Sequence, residues 1–135
     1  MSSIVQHAPR FAEGDAVRIA KDLFALDATA KLLPSERDQN FRLTASNGQA
    51  YVLKIANSRE LEAVLDFQNQ AMINIRDKCS MLGQNNSVAP QVCLSLSEEQ
   101  ITSTQDADGT TYFVRLLTFL PGKPYRNPTY PMLIR

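Results

Sequence analysis

Apolar and polar positions alternate most regularly along NFRLTASNGQAYVLKIA, residues 40–56. Two period-two stretches flank Asn47-Gly48, a pair that suits a two-residue type I′ turn because both residues tolerate positive φ. The pattern predicts a β-hairpin. With the turn at Asn47-Gly48, Ala45 pairs with Ala50, Leu43 with Val52 and Phe41 with Lys54. Cross-strand partners share a face. This register therefore puts Lys54 on the apolar side, with Phe41, Leu43 and Val52. An ammonium there needs a partner, since a buried unpaired charge is costly, and a phosphate would serve.

Before the hairpin, Asp15 can cap a helix from about Ala16 to Leu26, with Ala16, Ala20, Leu23 and Phe24 on one stripe. Ala28 to Leu33 is a short strand, followed by the polar connection Pro34 to Gln39. After the hairpin, Asn57-Ser58-Arg59-Glu60 fits a capping box. It opens a long helix from Ser58 to Lys78, on which Leu61, Val64, Leu65, Met72 and Ile75 give the i, i+3, i+4 spacing of a packed face. Gly83 to Ser87 is a loop. Val92–Leu96 and Ile101–Ser103 read as strands joined by an acidic turn. Asp108-Gly109 marks another hairpin into a strong strand, Thr111–Phe119. Beyond it, Pro121, Gly122, Pro124, Pro128 and Pro131 break regular structure and read as a linker. Residues 1–13 read as a loose leader. The expected fold is α+β, an antiparallel five-stranded sheet with an N-terminal helix and one long packed helix.

The chain has 135 residues, 44% hydrophobic and 21% charged, enough for one domain with its own core. Basic and acidic residues balance at 14 each, so net charge makes no case for nucleic acid or a membrane surface. From Gly109 onward the charges are Arg115, Lys123, Arg126 and Arg135 with no acid, which reads as a solvated basic face. Two cysteines, Cys79 and Cys93, are too few for the disulfide framework of a small secreted domain. Both are expected to be reduced, with Cys93 in the core. No apolar run approaches the ~20 residues of a membrane span, and no signal peptide is seen. The expected location is the cytoplasm.

The order and spacing of several short motifs resemble a known family. Val52-Leu53-Lys54 after a hairpin, a long helix, Ala89-Pro90-Gln91-Val92, and Leu116 to Gly122 (LLTFLPG) are similar to the N-terminal lobe of aminoglycoside-phosphotransferase-like small-molecule kinases. Ser35 to Phe41 (SERDQNF) and Leu65 to Met72 (LDFQNQAM) are most similar to the hydroxylysine-kinase type and to kinase domains fused to class III aminotransferases. The resemblance covers roughly residues 11–124 and implies a kinase-like lobe at 14–120, with 121–135 as a linker toward a second lobe. It implies ATP and Mg²⁺ as cofactors and a small amino-alcohol or amino-acid-like substrate phosphorylated on a hydroxyl.

The implied roles follow position by position. Lys54 matches the strand lysine that holds the α- and β-phosphates of ATP. On its own spacing it is more simply an edge lysine whose stem packs on the sheet. The loop from Ser35 to Gln39 matches the phosphate-covering loop, where backbone N–H groups, the Ser35 hydroxyl and the Arg37 charge are candidate donors. Leu33 and Val52 would cover the adenine ring. Leu117 to Leu120 matches the inter-lobe hinge, with the Thr118 carbonyl and the Leu120 N–H reading the adenine edge. The family usually places a Glu on the long helix as partner of the lysine. Here that position is Gln68, which is expected to point inward and accept a hydrogen bond from Lys54.

The catalytic base and metal ligands of such an enzyme are expected outside these residues. The only histidine is His7, and no HxD motif occurs. Asp106 and Asp108 precede a glycine, where Asp suits a turn. The chain alone is thus expected to be inactive, with its substrate pocket in a missing lobe and an exposed inter-lobe surface that favours a homodimer, native or artificial. The competing expectation is a non-catalytic binding or regulatory module with the same small lobe.

Overall fold

A computed structural model of the chain describes residues 8–81 and 90–119. In order the elements are α1 (Glu13–Phe24), β1 (Ala28–Leu33), β2 (Gln39–Ala45), β3 (Ala50–Ile55), α2 (Glu62–Met81), β4 (Val92–Cys93), β5 (Thr102–Gln105) and β6 (Thr111–Thr118). All strand pairs are antiparallel, in the order β1-β2-β3-β6-β4, with β5 also on β6. The α+β class holds.

Val114 pairs with Ile55 of β3 and with Thr102 of β5, so β5 shares the far edge of β6 with β4. These six segments therefore occupy five lanes. β4 and β5 are not neighbours joined by a turn, as the sequence suggested, but two pieces of one interrupted strand. Cys93 pairs with Leu116 and Thr102 with Val114, so residues 94–101 all bulge out opposite Arg115. A local turn closes that excursion, with the Ser95 N–H donating to the Glu99 carbonyl at 2.9 Å and Glu98 at φ 64°. The Leu96 N–H bonds the Leu23 carbonyl at 2.8 Å, which ties the excursion to the end of α1.

The central hairpin forms, but in a different register. The Ala45 N–H donates to the Gln49 carbonyl at 2.9 Å and the Gly48 N–H to the Ala45 carbonyl at 2.8 Å. The loop is thus Ser46-Asn47-Gly48, with Gly48 at φ 89°, the three-residue form in which a left-handed glycine follows a turn. Phe41 now faces Leu53, Arg42 faces Val52 and Asn40 faces Lys54. A one-residue slip turns every cross-strand relation over. Lys54 therefore lies on the face away from Phe41 and Leu43. The reason is burial: this register gathers Phe41, Leu43, Leu53 and Ile55 on one side, all fully buried. The same loop form recurs at Asp106–Thr110, with Gly109 at φ 84°.

Helix α1 covers that apolar face. Ala16, Ile19 and Ala20 pack with Phe41, Leu43, Leu53, Ile55, Val114 and Leu116. Phe11 joins them, edge-on to Tyr112 at 5.5 Å, so packing begins within the predicted leader. The helix starts at Glu13, and Asp15 sits at its third position, where its carboxylate accepts the Ala12 N–H at 2.8 Å. Cys93 packs at the rim of this core.

Helix α2 begins at Glu62 rather than Ser58. Asn57 is not its cap. Its side-chain carbonyl accepts the Arg59 N–H at 2.9 Å, and its own N–H donates to Asp38 at 2.9 Å. Among the described side chains of α2, Leu65 and Asn69 are buried, while Val64, Phe67 and Ile75, and Leu61 just before the helix, are exposed. Most of the predicted apolar stripe is therefore not the packed one. No helix among the described residues is long and apolar enough to cross a membrane.

Candidate functional site

The second face of the sheet carries the candidate chemistry. Two rows of residues cross it. Leu33, Asn40, Lys54 and Arg115 are successive cross-strand partners from β1 to β6. In the next row stand Lys31, Arg42, Val52, Leu117 and Val92. The structure thus brings Leu33, Val52 and Lys54 onto one face. The Ser35-containing connection enters at the Lys54 end, because it joins Leu33 to Gln39. At the other end Arg42 stacks over the Phe119 ring at 4.8 Å.

Lys54 Nζ donates to Asn40 Oδ1 at 3.1 Å. No carboxylate forms an ion pair with it among the described residues. Burial holds its ammonium below the usual lysine range, the Arg115 charge adds to that, and Asp38 opposes it. A partly desolvated cation without a counter-charge is a site for an anion.

Arg115 was missed as a site residue. It is 4% exposed. Its Nη1 donates to Asn69 Oδ1 at 2.7 Å and its Nη2 to Gln68 Oε1 at 3.0 Å. Burial lowers its pKa, while Asp38 and Glu60 favour its charge. A visible signal was a lone charge inside the apolar strand Tyr112 to Leu117. Gln68 consequently does not meet Lys54 as expected. It lies on the exposed side of α2 and serves Arg115, because the inward position of the helix belongs to Asn69, the next residue.

The loop residues also find protein partners. Arg37 Nη2 pairs with Glu60 Oε1 at 3.1 Å. The Asn57 side-chain amide donates to the Arg37 carbonyl at 3.4 Å. The loop between β1 and β2 is therefore tied to the segment leading into α2, and the Arg37 charge is partly spoken for. Ser35 is exposed.

At the segment matched to the hinge, the Thr118 N–H donates to the Gln91 carbonyl at 2.9 Å, and Thr118 Oγ1 accepts the Gln91 N–H at 2.8 Å. The Phe119 N–H bonds the Ala50 carbonyl at 3.0 Å. Leu120 lies outside the described residues. A separate open cavity of about 1010 Å³ sits between the start of α1 and the β5–β6 loop, lined by Arg10, Asp15, Arg18, Asp106 and Tyr112. No residue of the Lys54 rows lines it.

No family model matches the chain. Its sequence is 35% identical over 127 residues to hydroxylysine kinase of Danio rerio, covering 89% of this chain and 34% of that protein. It is 32% identical over 136 residues to hydroxylysine kinase of Xenopus laevis, covering 92% and 34%. It is 29% identical over 129 residues to that of Mus musculus, covering 86% and 32%. The chain thus spans about a third of the length of these relatives. A solved structure of similar fold is the amicoumacin kinase hAmiN in complex with AMP-PNP, Ca²⁺ and Ami. It has a TM-score of 0.61 and 18% identity, over 96% of this chain and 37% of that one. Sequence and fold agree with the resemblance drawn from the motifs, to the small lobe of aminoglycoside-phosphotransferase-like small-molecule kinases.

Proposed function

We propose that this chain is the nucleotide-covering lobe of an ATP-dependent phosphotransferase that acts on a hydroxyl of a small amino-alcohol or amino-acid-like substrate. The observation that carries this reading is Lys54. Among the described residues it has no carboxylate ion-pair partner, and its sheet face also carries the apolar Leu33, Val52 and Leu117. Such a face suits a ligand with one flat apolar part and one anionic part. Lys54 would hold the α- and β-phosphates, and Leu33 and Val52 would cover the base. The Thr118 carbonyl and Leu120 N–H would read its edge. Ser35 and the loop backbone would close over the phosphates, with Arg37 adding charge if it leaves Glu60.

Phosphoryl transfer also needs a base and divalent-metal ligands. Among the described residues no three His, Cys, Asp or Glu side chains converge to hold a metal. Mg²⁺ and the base are assigned to sequence outside them, together with the substrate pocket. The hydroxylysine kinases make hydroxylysine the first substrate to test.

A second reading, a binding module without catalysis, has one observation in its favour. Leu61, Phe67 and Leu96 expose about two thirds or more of their surface, at 66%, 75% and 65%. The discriminating experiment is calorimetric titration of the full-length protein with a non-hydrolysable ATP analogue, alongside Lys54→Ala. Binding that falls at least tenfold in the variant supports the nucleotide lobe. Wild-type protein that takes up no nucleotide, or a variant that binds equally well, overturns it.

A further inference from the structure

Resting on that reading, we infer that Arg115 is a positioning residue for the phosphate-binding lysine. It fixes α2 to the sheet through Gln68 and Asn69, and it keeps Lys54 turned toward Asn40 and the nucleotide. Three observations carry this. First, Arg115 and Lys54 are direct cross-strand partners on β6 and β3, so their side chains leave the same face side by side. Second, both short contacts of the guanidinium go to neutral amides of α2, at 2.7 and 3.0 Å. A carboxylate at Gln68 would draw the lysine toward the helix. An amide engaged by Arg115 does not. Third, the excursion at residues 94–101 stands opposite Arg115, and Gln100 from it meets Asn69 Nδ2 at 3.5 Å. The interrupted fifth strand thus closes over the same polar cluster.

The result is two adjacent cations with no ion-paired carboxylate among the described residues. The charged groups on this face are Lys31 of β1, Arg42 of β2, Lys54 of β3 and Arg115 of β6. Asp38 comes from the loop and Glu60 from the approach to α2, where it already pairs with Arg37. Like-charge repulsion from Arg115 pushes the ammonium away from α2. Among the described residues its hydrogen-bond partner is Asn40, a neutral acceptor that a phosphate oxygen can displace or join.

The test uses the full-length protein carrying Arg115→Met, which removes the charge at similar length, and Gln68→Leu, which removes one bond at an exposed site. The Lys54 Cε resonance, assigned through Lys54→Arg, reports the lysine's titration midpoint. A nucleotide analogue reports affinity. In Arg115→Met the midpoint should rise by half a pH unit or more and affinity should fall at least fivefold. In Gln68→Leu the midpoint should stay and affinity should fall two- to fivefold. An unmoved midpoint in Arg115→Met overturns the inference. If that variant does not fold, Gln68→Leu decides, and wild-type affinity there overturns it. Wild-type protein that binds no nucleotide, while its Lys54 midpoint still follows Arg115, removes the nucleotide reading and leaves the coupling standing.

Discussion

Lys54 reaches across the β2–β3 pair to Asn40, 3.1 Å away, while Gln68 and Asn69 of α2 accept from Arg115 instead. A half-buried lysine whose described hydrogen bond goes to a neutral amide contributes little to stability and keeps its charge available. Replacing it with methionine, similar in length and apolar, should therefore leave thermal unfolding at pH 7 within about 1 kcal/mol of wild type, or raise it. Nucleotide binding should be lost in the same protein. A melt that drops by several degrees together with binding would show Lys54 to be structural instead.

The lowered pKa of Lys54 has a signature in proton uptake. Its free value lies below the ordinary 10.5, chiefly through burial and then through Arg115. Unfolded protein holds more protons than folded protein between those two values, so this group makes stability rise with pH across that window. Bound phosphate acts the other way, because it favours the ammonium. Nucleotide binding should thus take up protons between the free and bound midpoints of Lys54, and affinity should fall at a lower pH than for an ordinary lysine. Calorimetry in buffers of different ionisation enthalpy reads the uptake directly. Uptake that persists unchanged in Lys54→Arg, whose guanidinium stays charged across this range, would assign it to another group.

Both hairpin loops turn on a left-handed glycine, Gly48 at φ 89° and Gly109 at φ 84°. No heavy atom would crowd a Cβ at either position, so a substitution there reads backbone strain alone. Gly48→Ala and Gly109→Ala should each cost about 1–2 kcal/mol. Gly48→Asn should cost less, since Asn tolerates the left-handed region. Denaturant unfolding measures all three. A neutral Gly48→Ala would mean that the hairpin can revert to another loop length.

That loop also shows where sequence reasoning stopped. Asn47-Gly48 announces a hairpin, but the same pair fits a two-residue loop and a three-residue loop ending in glycine. Only burial of Leu53 and Ile55 beside Phe41 and Leu43 chooses between them. The motif match singled out Lys54, while its facial assignment came out reversed. Helix α2 posed a similar ambiguity. Apolar residues lie on two of its faces, and Asn69 marks the packed one, which a hydrophobic stripe does not reveal. Strand β1 and strand β6 were legible within a residue, because their apolar runs are bounded by clear turn residues. Arg115 was legible as a charge but not as a partner of α2, since its bonds span 46 and 47 residues of sequence.

The two amides that hold Arg115 should differ sharply in what they support. Asn69 is fully buried and gives the shorter bond, 2.7 Å, whereas Gln68 is exposed. Removing Asn69 leaves a buried guanidinium without one of its acceptors, and water reaches that position poorly. Asn69→Ala should cost about 2–3 kcal/mol, the scale of a lost hydrogen bond to a charged group. At Gln68, solvent can replace the lost acceptor, so Gln68→Ala should cost less than about 1 kcal/mol. The Arg115→Met background supplies the control. With no guanidinium to satisfy, the Asn69 substitution should lose most of its penalty, and the cycle should return a coupling of at least about 1 kcal/mol. Additive effects in the double variant would show that Asn69 acts through packing or through Gln100, and not through Arg115.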